Sequence, residues 1–367
     1  MTRIPHRTPL ALVAGLGLLV AGLAALGGPA SAVGRVHRDT VTYQAHNPLA
    51  AHPWGLYRGS ADDAWTAYEK ATAKQQARLD TIVQQPRVQW FGRWIPDGDI
   101  ADKIHRFVAI ATGGDPDVLV QLAIFRMDPW EGNACTSLPT DAQQASYKRW
   151  VRRAAQAIGD THAALVLQPD GPFALCAPGG SKLPSHLLRF AARRFSANPN
   201  TAVYLDAGAA DWNRSDPRKA LKILLPAGIA DVRGFALGST HYDATMDEVT
   251  YGAAVVRALA KRGITGKHFV VNTAANGRPF AGYTYRGPDF DNARVCTVKV
   301  SDPCVSLGIP PTTQVADPAW GLPAAVAAKA ATLCDAYVWI GRPWFYRQAA
   351  PFAMKRALQL ARNAPYA

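Results

Sequence analysis

From about Asn47 onward, short and almost wholly apolar runs alternate with longer stretches whose apolar residues recur every three or four positions. The runs 88–90, 118–125, 163–167, 202–205, 234–237, 268–272 and 336–340 have the length of strands. The stretches 100–111, 140–157, 183–196, 217–227, 247–262 and 353–363 read as amphipathic helices. Strands that alternate with helices predict βαβ units and one parallel sheet with helices outside. About seven such units suit a barrel better than an open doubly wound sheet. No repeat, low-complexity linker or Ser/Thr/Pro-rich hinge interrupts the pattern, so residues 47–367 are expected to form a single domain.

The chain before this pattern reads differently. Arg3, His6 and Arg7 precede an apolar run from about Leu10 to Leu26, and Pro29-Ala30-Ser31-Ala32 supplies a small-residue cleavage site. Residues 1–32 are therefore expected to be a secretory signal peptide, followed by an N-terminal segment, 33–46. The run is rich in Gly and Ala and ends in a cleavage motif rather than a charged stop, which argues against a membrane anchor. The expected product is a secreted protein with no membrane contact after cleavage.

Charge and cysteines refine this picture. The formal net charge is +13, of which Arg3 and Arg7 supply two. The basic residues are scattered along helices (Arg149, Arg152, Arg153; Arg189, Arg193, Arg194) without aromatic interleaving of an RNA-binding type, so nucleic acid is not the expected partner. An anionic wall polymer remains compatible with the charge. Five cysteines in an exported chain predict disulfides with one thiol left over. Cys296 and Cys304 bracket a short Pro-containing loop, Cys135 and Cys176 follow two apparent strand ends, and Cys334, before an apolar strand, is the expected buried free thiol. No C-x-x-C pair occurs and the histidines are dispersed, so no metal site is expected. The Gly-Gly of ATGGDPD lacks a phosphate-loop pattern, and no cofactor is expected.

In parallel barrels the chemistry sits where strands end. Three predicted strand ends carry carboxylates: Asp128 and Glu131 in IFRMDPWEGNAC, Asp170 in LQPDG, and Asp206 in VYLDAGAADW. Paired carboxylates at a barrel mouth are what glycoside hydrolysis needs. One protonates the leaving oxygen while another activates water or attacks carbon.

The ordered set VQWFGRW, LAIFRMDPWEGNACTS, VLQPDG, VYLDAGAADW, GFALGSTHYD, FVVNTAANGRP, PPTTQVADP and DAYVWIGRP resembles family 6 glycoside hydrolases over nearly the whole predicted domain. The resemblance implies a distorted α/β barrel and an inverting β-1,4-glucanase acting on cellulose-type or related polysaccharide; a monomer without cofactors is expected. Asp170 stands where the family has its general acid, and Asp206 where it has a buried supporting carboxylate. Trp90 and Trp212 match aromatics that pack on sugar rings, whose C–H faces are apolar. Thr140, His241, Arg342 and Trp344 complete the implied sugar-binding set.

The departures are as specific as the matches. Ala134 stands where the family has an Asp before Cys135, Gln168 where it has Glu, and Val295 and His241 where it has other sugar contacts. The last strand runs VWIGRPWFYRQAAPF, without the carboxylate-bearing loop that supplies the family's proposed base. Asp317 in TTQVADP is the expected substitute, with Asp289 and Asp291 as weaker candidates. The alternative reading is a carbohydrate-binding pseudoenzyme that kept the barrel and lost the base.

Overall fold

The computed structural model describes residues 47–297 and 303–366; the predicted signal peptide and the segment 33–46 lie outside the described residues. The predicted strands form as β1 (Gln89–Gly92), β2 (Val120–Phe125), β3 (Ala163–Leu167), β4 (Thr201–Asp206), β5 (Gly234–Leu237), β6 (His268–Asn272) and β7 (Cys334–Val338). They make one seven-stranded sheet in sequence order, every neighbour parallel. The sheet curls until Val88 N–H, at the foot of β1, donates to Trp339 O just beyond β7 at 3.1 Å. The Trp90 indole adds a bond to Ile340 O at 2.8 Å. The result is the parallel barrel that the alternation predicted, distorted as the family resemblance implied.

The described helices are α1 (Asp63–Glu69), α2 (Ala73–Val83), α3 (Ile100–Thr112), α4 (Asp141–Ile158), α5 (Leu183–Ser196), α6 (Pro217–Ala227), α7 (Thr245–Ala260), α8 (Ala324–Leu333) and α9 (Met354–Arg362). Local chemistry sets their ends. Thr72 with Gln75 and Thr140 with Gln143 form capping boxes that satisfy orphan N–H groups of α2 and α4. Asp216 caps α6, whose first residue is Pro217, and Gly113 and Gly228 end α3 and α6 with positive φ. Helix α4 shows why the pattern was legible: Tyr147, Trp150, Val151, Ala154 and Ile158 recur every three or four residues and are all buried. None of the described helices is long and apolar enough to cross a membrane.

Strands β2, β3, β6 and β7 are buried at every position, as a barrel wrapped by helices requires. A second apolar cluster lies outside the sheet, where Tyr242, Ala274, Phe280, Leu307, Trp339 and Trp344 pack with α2 and α9. It anchors the long β6–β7 connection, which forms one wall of the mouth. The disulfides pair as expected, Cys135–Cys176 and Cys296–Cys304, and Cys334 is a buried free thiol.

Candidate active site

Asp170 sits immediately past β3, with φ of 66°. Gln168, two residues earlier, also has positive φ, and its Oε1 accepts from the backbone N–H groups of Arg126 and Met127 at 3.2 and 3.0 Å. This amide ties the β2 and β3 exits together. Gly171 must be glycine, because a Cβ there would lie 2.1 Å from Asp206 O. That approach lets Gly171 N–H donate to Asp206 Oδ1 at 2.8 Å, joined by Gly208 N–H at 2.9 Å and by the Ser239 hydroxyl on Oδ2. Asp206 is thus fixed beneath the Asp170 loop with both oxygens engaged.

Thr240 Oγ1 donates to Asp170 Oδ1 at 2.7 Å. Burial, followed by repulsion from Asp206, raises the Asp170 carboxyl to about 7; the Thr240 hydrogen bond and His241 pull back against that rise. Burial also lifts Asp206, to about 6, although Ser239 and the two glycine N–H groups favour its charge. A carboxyl that keeps its proton near neutrality in a cleft is suited to general acid work.

Beside this pair, His241 Nδ1 lies 2.8 Å from Asp211 Oδ1. Asp211 also accepts from the N–H groups of Trp212 and Gly282. Burial opposes charge on both groups. Their mutual contact prevails, holding Asp211 below the usual carboxylate range and His241 above the usual imidazole value. The His241 ring stacks on Trp212 with centroids 4.9 Å apart. Across the mouth the Arg342 guanidinium lies 4.4 Å over the Trp90 ring, and burial lowers it to about 10, so it remains a cation.

These groups face one cleft of about 920 Å³ at the carboxyl ends of the strands. Its aromatic lining includes Trp90, Trp94, Phe173, Trp212, Tyr283 and Phe290. Trp94 and Tyr283 are exposed at the rim, and Arg214 lies 4.0 Å over the Tyr283 ring. Flat aromatic faces beside polar groups suit pyranose rings.

Of the residues predicted from sequence, Trp90, Asp170, Trp212, His241 and Arg342 line this cleft, and Asp206 lies directly beneath it. Three do not belong there. Thr140 is spent as the cap of α4, accepting from Gln143 N–H at 3.2 Å. Trp344 is 1% exposed and packs against Trp339 in the second apolar cluster, because the chain turns inward after Arg342. Asp317 is exposed and accepts from Ala319 N–H at 2.8 Å, capping the short helix Pro318–Trp320 away from the cleft. Asp128 is held by Arg93 and Gln143, whereas Glu131 on the same loop faces the cleft. Asp289 pairs with Arg347 at 2.7 Å, while Asp291 lines the cleft. The loop after β7 contributes Arg342, Arg347 and Gln348 and no carboxylate.

Sequence reasoning passed over Ser239, Thr240 and Asp211. Ser239 and Thr240 directly follow the β5 end and its Gly238, so the strand-end rule, applied to hydroxyls as well as carboxylates, reaches them.

Residues 51–343 match the family model described as glycosyl hydrolases family 6. The chain is 30% identical over 222 residues to Endoglucanase 1 of Streptomyces halstedii, covering 59% of this chain and 67% of that protein. It is also 30% identical over 230 residues to Endoglucanase A of Cellulomonas fimi, covering 61% of this chain and 47% of that one. Among solved structures it resembles the endoglucanase Cel6 from Mycobacterium tuberculosis in complex with methyl-cellobiosyl-4-deoxy-4-thio-β-D-cellobioside. The TM-score is 0.67 at 24% identity, with 87% of this chain and 99% of that one covered. With the barrel, the Asp170–Asp206 pair and the family match agreeing, this chain belongs to the glycosyl hydrolases of family 6.

Proposed function

We propose that this protein is a secreted glucanase whose single catalytic domain hydrolyses β-1,4-glucan or a related polysaccharide with inversion. The observation that carries the reading is Asp170, a carboxyl raised to about 7 in the cleft that Trp90 and Trp212 also line. Asp170 donates its proton to the leaving glycosidic oxygen while water attacks the anomeric carbon from the opposite face. Asp206 positions the acid's loop, and Trp90 and Trp212 hold the sugar rings.

The water needs a proton acceptor. Asp211 is engaged by His241 and two backbone N–H groups, and Asp317 is outside the cleft. Asp291 takes the role: it lines the cleft, and burial together with Asp289 raises its carboxyl above the usual range, closer to a working pH near neutrality. In the test, wild type and Asp291→Asn are given soluble β-1,4-glucan oligosaccharides, and the first-formed anomer is followed by proton NMR. Wild type should release the α-anomer. Asp291→Asn should lose roughly 10²–10⁴-fold in rate and recover part of it with azide, yielding the α-glycosyl azide. Retention, or an active Asp291→Asn, would overturn the mechanism.

A second reading is favoured by Ala134 and by the carboxylate-free loop after β7: a β-glucan-binding protein without turnover. Saturable oligosaccharide binding with no product from wild type would select it.

The acid also sets a pH limit. Activity requires Asp170 protonated, so the rate should fall as pH rises through about 7. Thr240→Ala removes a donor that favours the charged form, so the alkaline limb should move upward, on the order of one pH unit. A kcat–pH profile measures this, and a downward shift would contradict the assignment.

A further inference from the structure

We propose a divalent transition-metal site of the zinc type at the amino-terminal end of the barrel, formed by His52, Asp117 and His162. It is separate from the cleft: Asp117 precedes β2 and His162 directly precedes β3, so both lie at the strand ends opposite the catalytic mouth.

The three side chains each present one ligand atom, and these atoms all lie within 4.8 Å of one another. His52 Nδ1 is 2.9 Å from Asp117 Oδ1, and the His52 and His162 rings stack with centroids 3.6 Å apart. Ligands of a tetrahedral zinc with bonds near 2.1 Å stand about 3.4 Å apart, so no pair needs to close by more than about 1.4 Å. His52 is largely buried and Asp117 is mostly exposed, so the carboxylate is free to swing and water can take the fourth position.

The backbone holds this arrangement before any ion arrives. One stretch, 117–120, carries Asp117 and ties down both histidines. Leu119 N–H donates to Pro53 O at 2.9 Å, Gly55 N–H donates to Leu119 O at 2.8 Å, and Val120 N–H donates to His162 O at 2.9 Å. Three segments far apart in sequence are thus knitted at the ligands themselves, which is the preorganisation that metal sites require. The ligand set, two imidazoles and one carboxylate, suits zinc or a neighbouring first-row ion over calcium or magnesium, which favour oxygen donors. Bound there, the ion clamps the segment around His52 to the barrel floor.

The test is isothermal titration of untagged full-length protein with Zn²⁺ near neutral pH, paired with thermal melts with and without chelator. Expected are saturable uptake of one zinc per site and a melting temperature that rises with zinc and falls back with chelator. His52→Ala and His162→Ala should each weaken binding by at least the roughly 10–100-fold that losing even an outer-shell partner costs. Asp117→Asn, at an exposed position, should weaken it without disturbing the fold. All three should hydrolyse or bind glucan as wild type does. No saturable uptake by the wild type, or equal uptake by the His52→Ala/His162→Ala double variant, would overturn the site.

Discussion

Asp170→Asn is expected to lower glucan hydrolysis by roughly 10²–10⁴-fold, the contribution typical of a positioned general acid. The amide is nearly isosteric and can still accept from Thr240 Oγ1, so the cleft should keep its shape and its affinity for oligosaccharides. The fold should not suffer. Asp170 titrates at about 7 in the folded chain against about 3.9 in an unfolded one. The folded state therefore holds its proton more tightly, and stability falls as pH rises from about 4 through about 7. Replacing the carboxyl removes that penalty, so above pH 7 the variant should melt at or above the wild-type temperature. Lost turnover with unchanged binding and an undiminished melting temperature is the expected combination. Full activity in this variant would remove Asp170 from the mechanism.

Asp335→Ala is expected to be the most destabilising single change in the barrel. Asp335 is 1% exposed at the foot of β7, and its carboxylate accepts from Arg233 Nη2 and Nε, both at 2.8 Å, and from Tyr204 OH at 2.7 Å. His268 Nδ1 lies 3.1 Å away, so one carboxylate joins β4, the β5 entrance, β6 and β7. Removing one partner from a buried charge network costs about 3–5 kcal/mol. That is a large share of a total stability of about 5–15 kcal/mol. Chemical denaturation should show the midpoint falling at unchanged slope. The pH dependence carries a sign. Burial opposes charge on Asp335, but Arg233 and His268 outweigh it and hold the carboxyl below the usual range. Its contribution is therefore present above the unfolded value of about 3.9 and is lost as pH falls through the lower folded value. The gap between wild type and variant should narrow in acid. A loss below about 1 kcal/mol at neutral pH would show the network to be dispensable.

The strands and most helices were legible because each is set by local pattern. The run 118–125 is apolar enough to be a buried strand and became Val120–Phe125, while helix 183–196 matched at both ends. Asp170 and Asp206 were legible because a βα barrel places strand-end residues at its mouth whatever the remaining sequence. Thr140, Asp317 and Trp344 failed for local reasons of a different kind. A Thr or Asp before a helix is as good a cap as a ligand, and a Trp two residues past a cleft cation can turn inward as readily as outward.

Periodicity, strand-end carboxylates and cysteine placement were enough, by themselves, to place the barrel, the Asp170–Asp206 pair at its mouth and both disulfides. Tertiary structure alone decided which carboxylates line the cleft, that His241 pairs with Asp211, and that Asp335 binds four strands together. It also decided that histidines 110 positions apart, His52 and His162, stack face to face. The physical reason is range. Hydrophobic period and capping act over a few residues and are written in the sequence, whereas proton affinity and pairing depend on burial and on neighbours brought from distant strands.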